Sequence, residues 1–256
     1  MNNEFRKYAK QHLGIHDKLI GGYQGFTNEM PMVTEASVTP TIIEERKLNV
    51  AAMSVFDRLM MDRVLWVAGP VDDRMAVIVQ AQLLFLSDQD PKKVIKMHID
   101  SPGGSVKSGL SMIDSMELCS SPIETINTGM AASMGSVLLS HGTKGMRSSL
   151  INSKMMIHQV SAGSRGHIND MNITSQQTAQ YNYILMNMLS DVSNLDFKTL
   201  LESHERDVWY NSDEQLKYGF IDEVIKTDGQ KSITDRLEGF GEYRDLLVQR
   251  AEVKNF

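Results

Sequence analysis

Apolar and polar positions show no sustained period before Pro40 and become regular after it. PTIIEERKLNVAAMSVFDRLM, from Pro40, predicts an extended piece leading into a helix. RVLWVAGPV (Arg63–Val71) reads as a strand ending in a Gly-Pro turn. Met75–Leu86 has apolar residues at helical spacing, and KVIKMHID (Lys93–Asp100) alternates as a half-buried strand does. SPGGS then breaks the chain, and Val106, Leu110 and Ile113 share one face of a helix reaching Cys119. Another strand is predicted over Ile123–Asn127. It leads into GMAASMGSVLL (Gly129–Leu139), whose second half, Met134–Ser140, looks helical.

Strand, glycine turn and helix thus occur twice in succession, which builds stacked βα layers with active groups at the strand ends. Met155–Gln159 predicts a further short strand, with the loop SAGSRGH after it. Asn169–Val192 predicts a long helix, with Tyr181, Leu185, Met188 and Val192 spaced along one face. GFIDEVI adds a last strand-like piece ending near Ile225. The fold class is α/β. The chain divides into an N-terminal extension (1–39), a body (40–225) and a charged, locally helical tail (226–256) with no obvious place in the core.

A chain of 256 residues buries about 70–75% of its unfolded surface, enough for one sizeable core. A net charge of −6 without a concentrated basic face argues against nucleic-acid binding. No window is apolar enough for a secretory signal or a membrane span, and the single cysteine, Cys119, suits a reducing, cytoplasmic setting. The 18 methionines suit an adaptable core and subunit contacts.

Candidate chemistry centres on Ser133, a hydroxyl among small residues at a predicted helix start. Two readings stand side by side. Ser133 is either the N-cap of a helix packed closely on a sheet, or a nucleophile with the Met134 amide aimed at a developing oxyanion. A nucleophilic serine needs a base. His12 and His16 lie in the extension, His204 in a charged surface stretch, and His98 sits where a satisfied sheet histidine would. His158 ends the apolar strand KMMIHQ beside a glycine-containing loop, where an imidazole is held at a cleft. Asp207, in HERDVWY, is one of many surface acids. The glycines of SPGGS can form an anion-binding nest, with Gly104 as a second oxyanion donor. No Walker loop, HExxH or paired CxxC is present, so neither metal nor cofactor chemistry is implied.

Taken in order, DSPGGSVKSG, GMAASMGSVLL, MMIHQ, ERD and YGFIDEV resemble the Clp protease proteolytic subunit family, ClpP, over about Pro40–Val224. The 25 residues from Ser133 to His158 and 49 more to Asp207 fit its spacing. The resemblance implies a ClpP/crotonase-like fold with a head and a protruding handle helix near Asn169–Val192. It implies a serine endopeptidase acting on unfolded proteins and peptides, with Ser133 as nucleophile, His158 as base and Asp207 as orienting acid. Gly104 and Met134 become the oxyanion hole, and Gly103, Ser105, Val106, Gln159 and Val160 flank an extended peptide. Also implied are homo-oligomeric heptameric rings stacked as a tetradecamer, fed by an AAA+ unfoldase that alone uses ATP.

Departures from the family pattern carry expectations of their own. Lys96 and His98 stand where the family usually presents aromatic residues in the unfoldase's docking pocket, so that contact is expected to be altered. The segment Lys47–Ala51 lacks the usual gate pattern, and residues before Pro40 resemble a propeptide processed around Ser37–Pro40. Three other readings remain: an unfoldase-independent maturation peptidase, a crotonase-fold acyl-CoA enzyme, and a catalytically silent ring subunit.

Overall fold

The computed structural model describes residues 41–46, 49–163 and 165–245. The proposed propeptide, and half of the gate segment's first four residues, lie outside them. Two compact units divide after Val55. The first contributes β1 (Thr41–Arg46) and β2 (Asn49–Ser54), paired antiparallel from Thr41↔Ser54 to Arg46↔Asn49. The sequence predicted one extended piece here; the structure has two strands, and helix begins only at α1 (Val55–Met61). NVAAMS carries no polar alternation to separate strand from helix, so pairing decided it.

The second unit is built on a seven-stranded sheet. Its main path runs β3 (Val64–Ala68), β4 (Ile95–Ser101), β5 (Ile123–Ala132), β6 (Arg147–Leu150) and β9 (Glu223–Ile225), all parallel. Side chains of β3 and β4 alternate, as predicted for β4: Leu65, Val67, Ile95, Met97 and Ile99 enter the core. Against them pack α2 (Asp73–Gln89), through Ala76, Val79, Leu83 and Leu86, and α3 (Val106–Leu118), through Met112, Ile113 and Met116. Asp72 caps α2 by accepting from Met75 N at 2.7 Å.

β5 runs on through the small residues to Ala132, five residues beyond its predicted end, and it forks. Thr125–Asn127 pairs with β6, whereas Met130–Ala132 pairs with β7 (Lys154–Ile157). Asn127 sits at the fork, buried, donating to Lys154 O at 3.0 Å, while its own carbonyl accepts Ser153 Oγ at 2.9 Å. β8 (Val208–Tyr210) adds antiparallel to β7, setting Val208 opposite Ile157. The fork therefore brings three distant pieces of chain together: the end of β5, the end of β7 and the start of β8.

α4 (Met134–Ser140) follows β5 and is wholly buried. α5 (Ile168–Val192) is the long helix, within a residue of its prediction, and residues 168–177 are exposed on every side. Its buried face is Leu185, Met186 and Leu189, rotated from the predicted Tyr181–Met188 stripe because only its last turns meet the core. α6 (Phe197–Ser203) and α7 (Ser212–Lys217) complete the unit. The tail, expected to have no place in the core, turns back through α8 (Ile233–Arg236). Ile233 is buried, Thr234 Oγ1 donates to Asp213 at 2.6 Å and Arg236 to Asn152 at 2.7 Å. No helix among the described residues is long and apolar enough to cross a membrane.

Candidate active site

β5 ends at Ala132 and α4 begins at Met134, so Ser133 alone makes the turn between them. Its backbone sits at φ 52°, ψ −120°, a region L-residues rarely adopt. Such a conformation costs about 1–3 kcal/mol and persists only where the surroundings impose it. Here Ser133 N donates to Met156 O at 2.8 Å, and the Ser133 carbonyl accepts both Ser136 Oγ at 2.6 Å and Ser136 N at 2.9 Å. The side chain makes no cap bond to α4, which removes the N-cap reading.

Instead, Ser133 Oγ lies 2.8 Å from His158 Nε2, and His158 Nδ1 lies 3.3 Å from Asp207 Oδ1. A carboxylate only accepts, so the proton belongs on Nδ1 and the Nε2 lone pair is left facing the hydroxyl. The Asp207 side chain is 59% exposed, and its contact with His158 is long. Such bonds commonly tighten when substrate excludes water.

The SPGG loop passes beneath this point. Gly103 has φ +88°, and a Cβ there would stand 2.6 Å from Ala132 O and 2.7 Å from Ser133 Cβ. Gly104 has φ +151°, and its Cβ would meet Val71 O at 2.3 Å. Both positions demand glycine. Val71 N donates to Gly103 O and Val71 O accepts Ser105 N, so the intervening Gly104 N–H points to the other side. Met134 N opens α4, where first-turn N–H groups have no intrahelical acceptor. A cleft of about 250 Å³ runs past Gly104, Ser133, Met134 and His158, with Val106, Val160 and the buried end of α5 as its apolar lining.

The other residues expected beside the peptide are placed unequally. Ser105 caps α3 by accepting from Ser108 N at 3.3 Å. Gln159 donates its backbone N–H to His204 O at 3.1 Å and its side chain to Leu201 O at 3.0 Å. Val160 N donates to Asn182 Oδ1 of α5 at 3.0 Å. The N–H groups of both residues are thus engaged inside the chain.

Two histidines differ from expectation. His204 is fully buried rather than on a charged surface, with Nε2 2.6 Å from Tyr210 Oη. His98, expected as a satisfied sheet residue, has Nδ1 buried without a hydrogen-bond partner among the described residues, and its ring stacks on Trp66 at 4.7 Å. Burial holds the pKa of both imidazoles below the usual value. Sequence reasoning missed Ser136, Asn182, His204 and Tyr210 as supports of the site. Of these only the spacing of Ser136 from Ser133 carried a hint.

A serine polarised by an imidazole on a carboxylate, at the strand ends of a parallel α/β sheet, defines a serine hydrolase. A family model described as Clp protease matches residues 46–228. The chain is 43% identical over 227 residues to the ATP-dependent Clp protease proteolytic subunit of Bacteroides thetaiotaomicron, covering 87% of this chain and 98% of that protein. The proteins so named from Porphyromonas gingivalis and Streptococcus mutans are each 41% identical, covering 88% and 75% of this chain and 98% and 99% of their own. The chain belongs to the Clp protease family and is a serine peptidase of the proteolytic-subunit type, degrading proteins within an oligomeric chamber. The longest of these matches outrun residues 46–228, so the likeness is not confined to that segment.

Proposed function

We propose that peptide bonds are cleaved through Ser133, His158 and Asp207. The 2.8 Å approach of Ser133 Oγ to His158 Nε2 is the observation that carries this reading. His158 takes the hydroxyl proton as Ser133 Oγ bonds to the peptide carbonyl carbon. The proton then passes to the leaving amine, and water, deprotonated by the same imidazole, releases the acyl group. Asp207 holds the ring and balances its transient charge. Gly104 N–H and Met134 N–H receive the oxyanion, a contribution of about 3 kcal/mol for each donor. Gly103, Ser105, Val106, Gln159 and Val160 border the extended peptide. The acyl-CoA reading has no use for this imidazole–hydroxyl contact and is set aside.

The family assembles with itself and works with an AAA+ partner. For this chain we take two stacked heptameric rings, a tetradecamer in the cytoplasm. Hydrolysis of a short fluorogenic peptide, followed together with particle mass in solution, tests both points. ATP-independent cleavage by a particle of about 14 chains is expected. Cleavage by a monomer would remove the chamber, and an intact particle inert toward peptides would remove the triad.

Docking of the AAA+ partner is taken to be altered. Lys96 pairs with Glu124 at 3.1 Å, and Lys96 keeps half its side chain exposed. Seating an apolar loop there strips water from a charge, a cost of about 1 kcal/mol or more. Changing Lys96 and His98 together to Tyr is therefore expected to tighten binding of a hydrophobic-loop unfoldase roughly tenfold. Equal affinity of the two proteins would show the pocket to be unaltered.

A further inference from the structure

Asp207 has an exposed side chain, and its only partner among the described residues is His158. Its position therefore depends on the backbone of the turn that carries it, Glu205–Asp207. That turn is bracketed by two buried residues, each three positions from Asp207: His204 before it and Tyr210 after it. Their side chains meet across the base of the turn, Tyr210 Oη to His204 Nε2 at 2.6 Å.

The direction of this bond follows from the other ring nitrogen. His204 Nδ1 lies 2.9 Å from Leu200 O, which can only accept. Nδ1 thus carries the proton, and Nε2 accepts from the tyrosine hydroxyl. Both rings are fixed from behind. His204 closes α6, and Tyr210 packs edge-on against Tyr218 at 5.5 Å and tilted against Phe220 at 5.3 Å. Burial pushes the Tyr210 phenol up to about 12, so it remains a donor throughout the working range.

The same two residues tie the turn to the base. The His204 carbonyl accepts Gln159 N at 3.1 Å, one residue past His158. Tyr210 lies on β8, whose Val208 sits opposite Ile157, one residue before His158. The turn that presents the carboxylate is thereby clamped on both flanks of the imidazole.

We propose that His204 and Tyr210 are positioning residues, a buried hydrogen-bonded staple that holds Asp207 on His158. This rests on the reading of Asp207 as the orienting acid. With the staple open, the carboxylate moves relative to Nδ1, and a displacement of about 1 Å costs up to about 100-fold in rate. Neither His204 nor Tyr210 lines the cleft, so the loss falls chiefly on kcat.

Tyr210→Phe removes one oxygen and keeps the ring packing. In the full-length assembled particle it should lower kcat for a fluorogenic peptide about 10- to 100-fold, with KM and particle mass close to wild type and a melting temperature lower by a few degrees, because buried His204 Nε2 loses its donor. In an Asp207→Ala background the same change should have almost no further effect, because the staple acts only through that carboxylate. Unchanged kcat in Tyr210→Phe overturns the proposal. So does a fall accompanied by loss of assembly or a raised KM, or an equal fall with and without Asp207. If Asp207→Ala alone costs nothing, the orienting role of Asp207 fails first and the staple with it. A costly Asp207→Ala beside a silent Tyr210→Phe sinks the staple alone.

Discussion

Ser133→Ala is expected to lower peptide turnover by about 10⁴- to 10⁶-fold, the range for losing a member of a triad that acts as a unit. The protein should otherwise be intact. The Ser133 hydroxyl caps nothing, and its bond to His158 is the one lost. The His158 side chain is 27% exposed, so water can replace that bond for less than about 1 kcal/mol. The left-handed backbone at position 133 is no worse for Ala than for Ser. The variant should keep its particle mass and melting temperature and lose labelling by a fluorophosphonate probe. Turnover within tenfold of wild type would place the nucleophile elsewhere.

The largest expected effect on stability comes from Arg147→Ala. Arg147 is buried and binds three parts of the fold at once. It donates to both Asp222 carboxylate oxygens at 2.9 and 2.7 Å, to Ser140 O at the end of α4 and to Val192 O at the end of α5. Breaking a buried ion pair by deleting one partner typically costs about 3–5 kcal/mol. Asp222 retains some exposure, 20% of its side chain, which argues for the lower end, about 3 kcal/mol. A drop in melting temperature of roughly 6–12 °C follows.

The pair also sets an acid limit. Burial alone would raise the Asp222 carboxyl, but the Arg147 guanidinium and the N–H groups of Arg147 and Gly145 more than offset this and hold it below the usual carboxylate range. A carboxyl held low in the folded state stabilises the fold above its unfolded pKa of about 4, and that stability is lost as pH falls through the folded value. Wild type should therefore lose stability below about pH 4 more steeply than Arg147→Ala. Parallel acid unfolding curves for the two proteins would assign the acid sensitivity to other groups.

Much of this protein was legible in its sequence wherever a short segment buries one face against a neighbour. β4 shows this best: alternation in KVIKMHID set the strand, and every expected inward residue, Ile95, Met97 and Ile99, is buried. The α2, α3 and α5 spans followed from apolar spacing for the same reason. The proposed site residues Ser133, His158 and Asp207 came from ordered motifs resembling the family, and the fold brings all three side chains within contact.

Other features depended on contacts between segments far apart, which no local pattern encodes. The small residues before Ser133 extend β5 rather than form a turn, because β7 offers them hydrogen bonds that become available only at the fork. His204 reads as a surface residue beside Glu202, Glu205 and Arg206, but is buried because β8 swings Tyr210 over it. Ile233 finds a seat only because α7 and the 152 region are already side by side. The sequence by itself determined β3, β4, the α2, α3 and α5 spans and the chemical groups, since those depend on periodicity and residue type. Tertiary structure alone decided the left-handed turn at Ser133, the distances within the triad and the burial of the His204–Tyr210 pair, since each requires atoms from separate strands to meet.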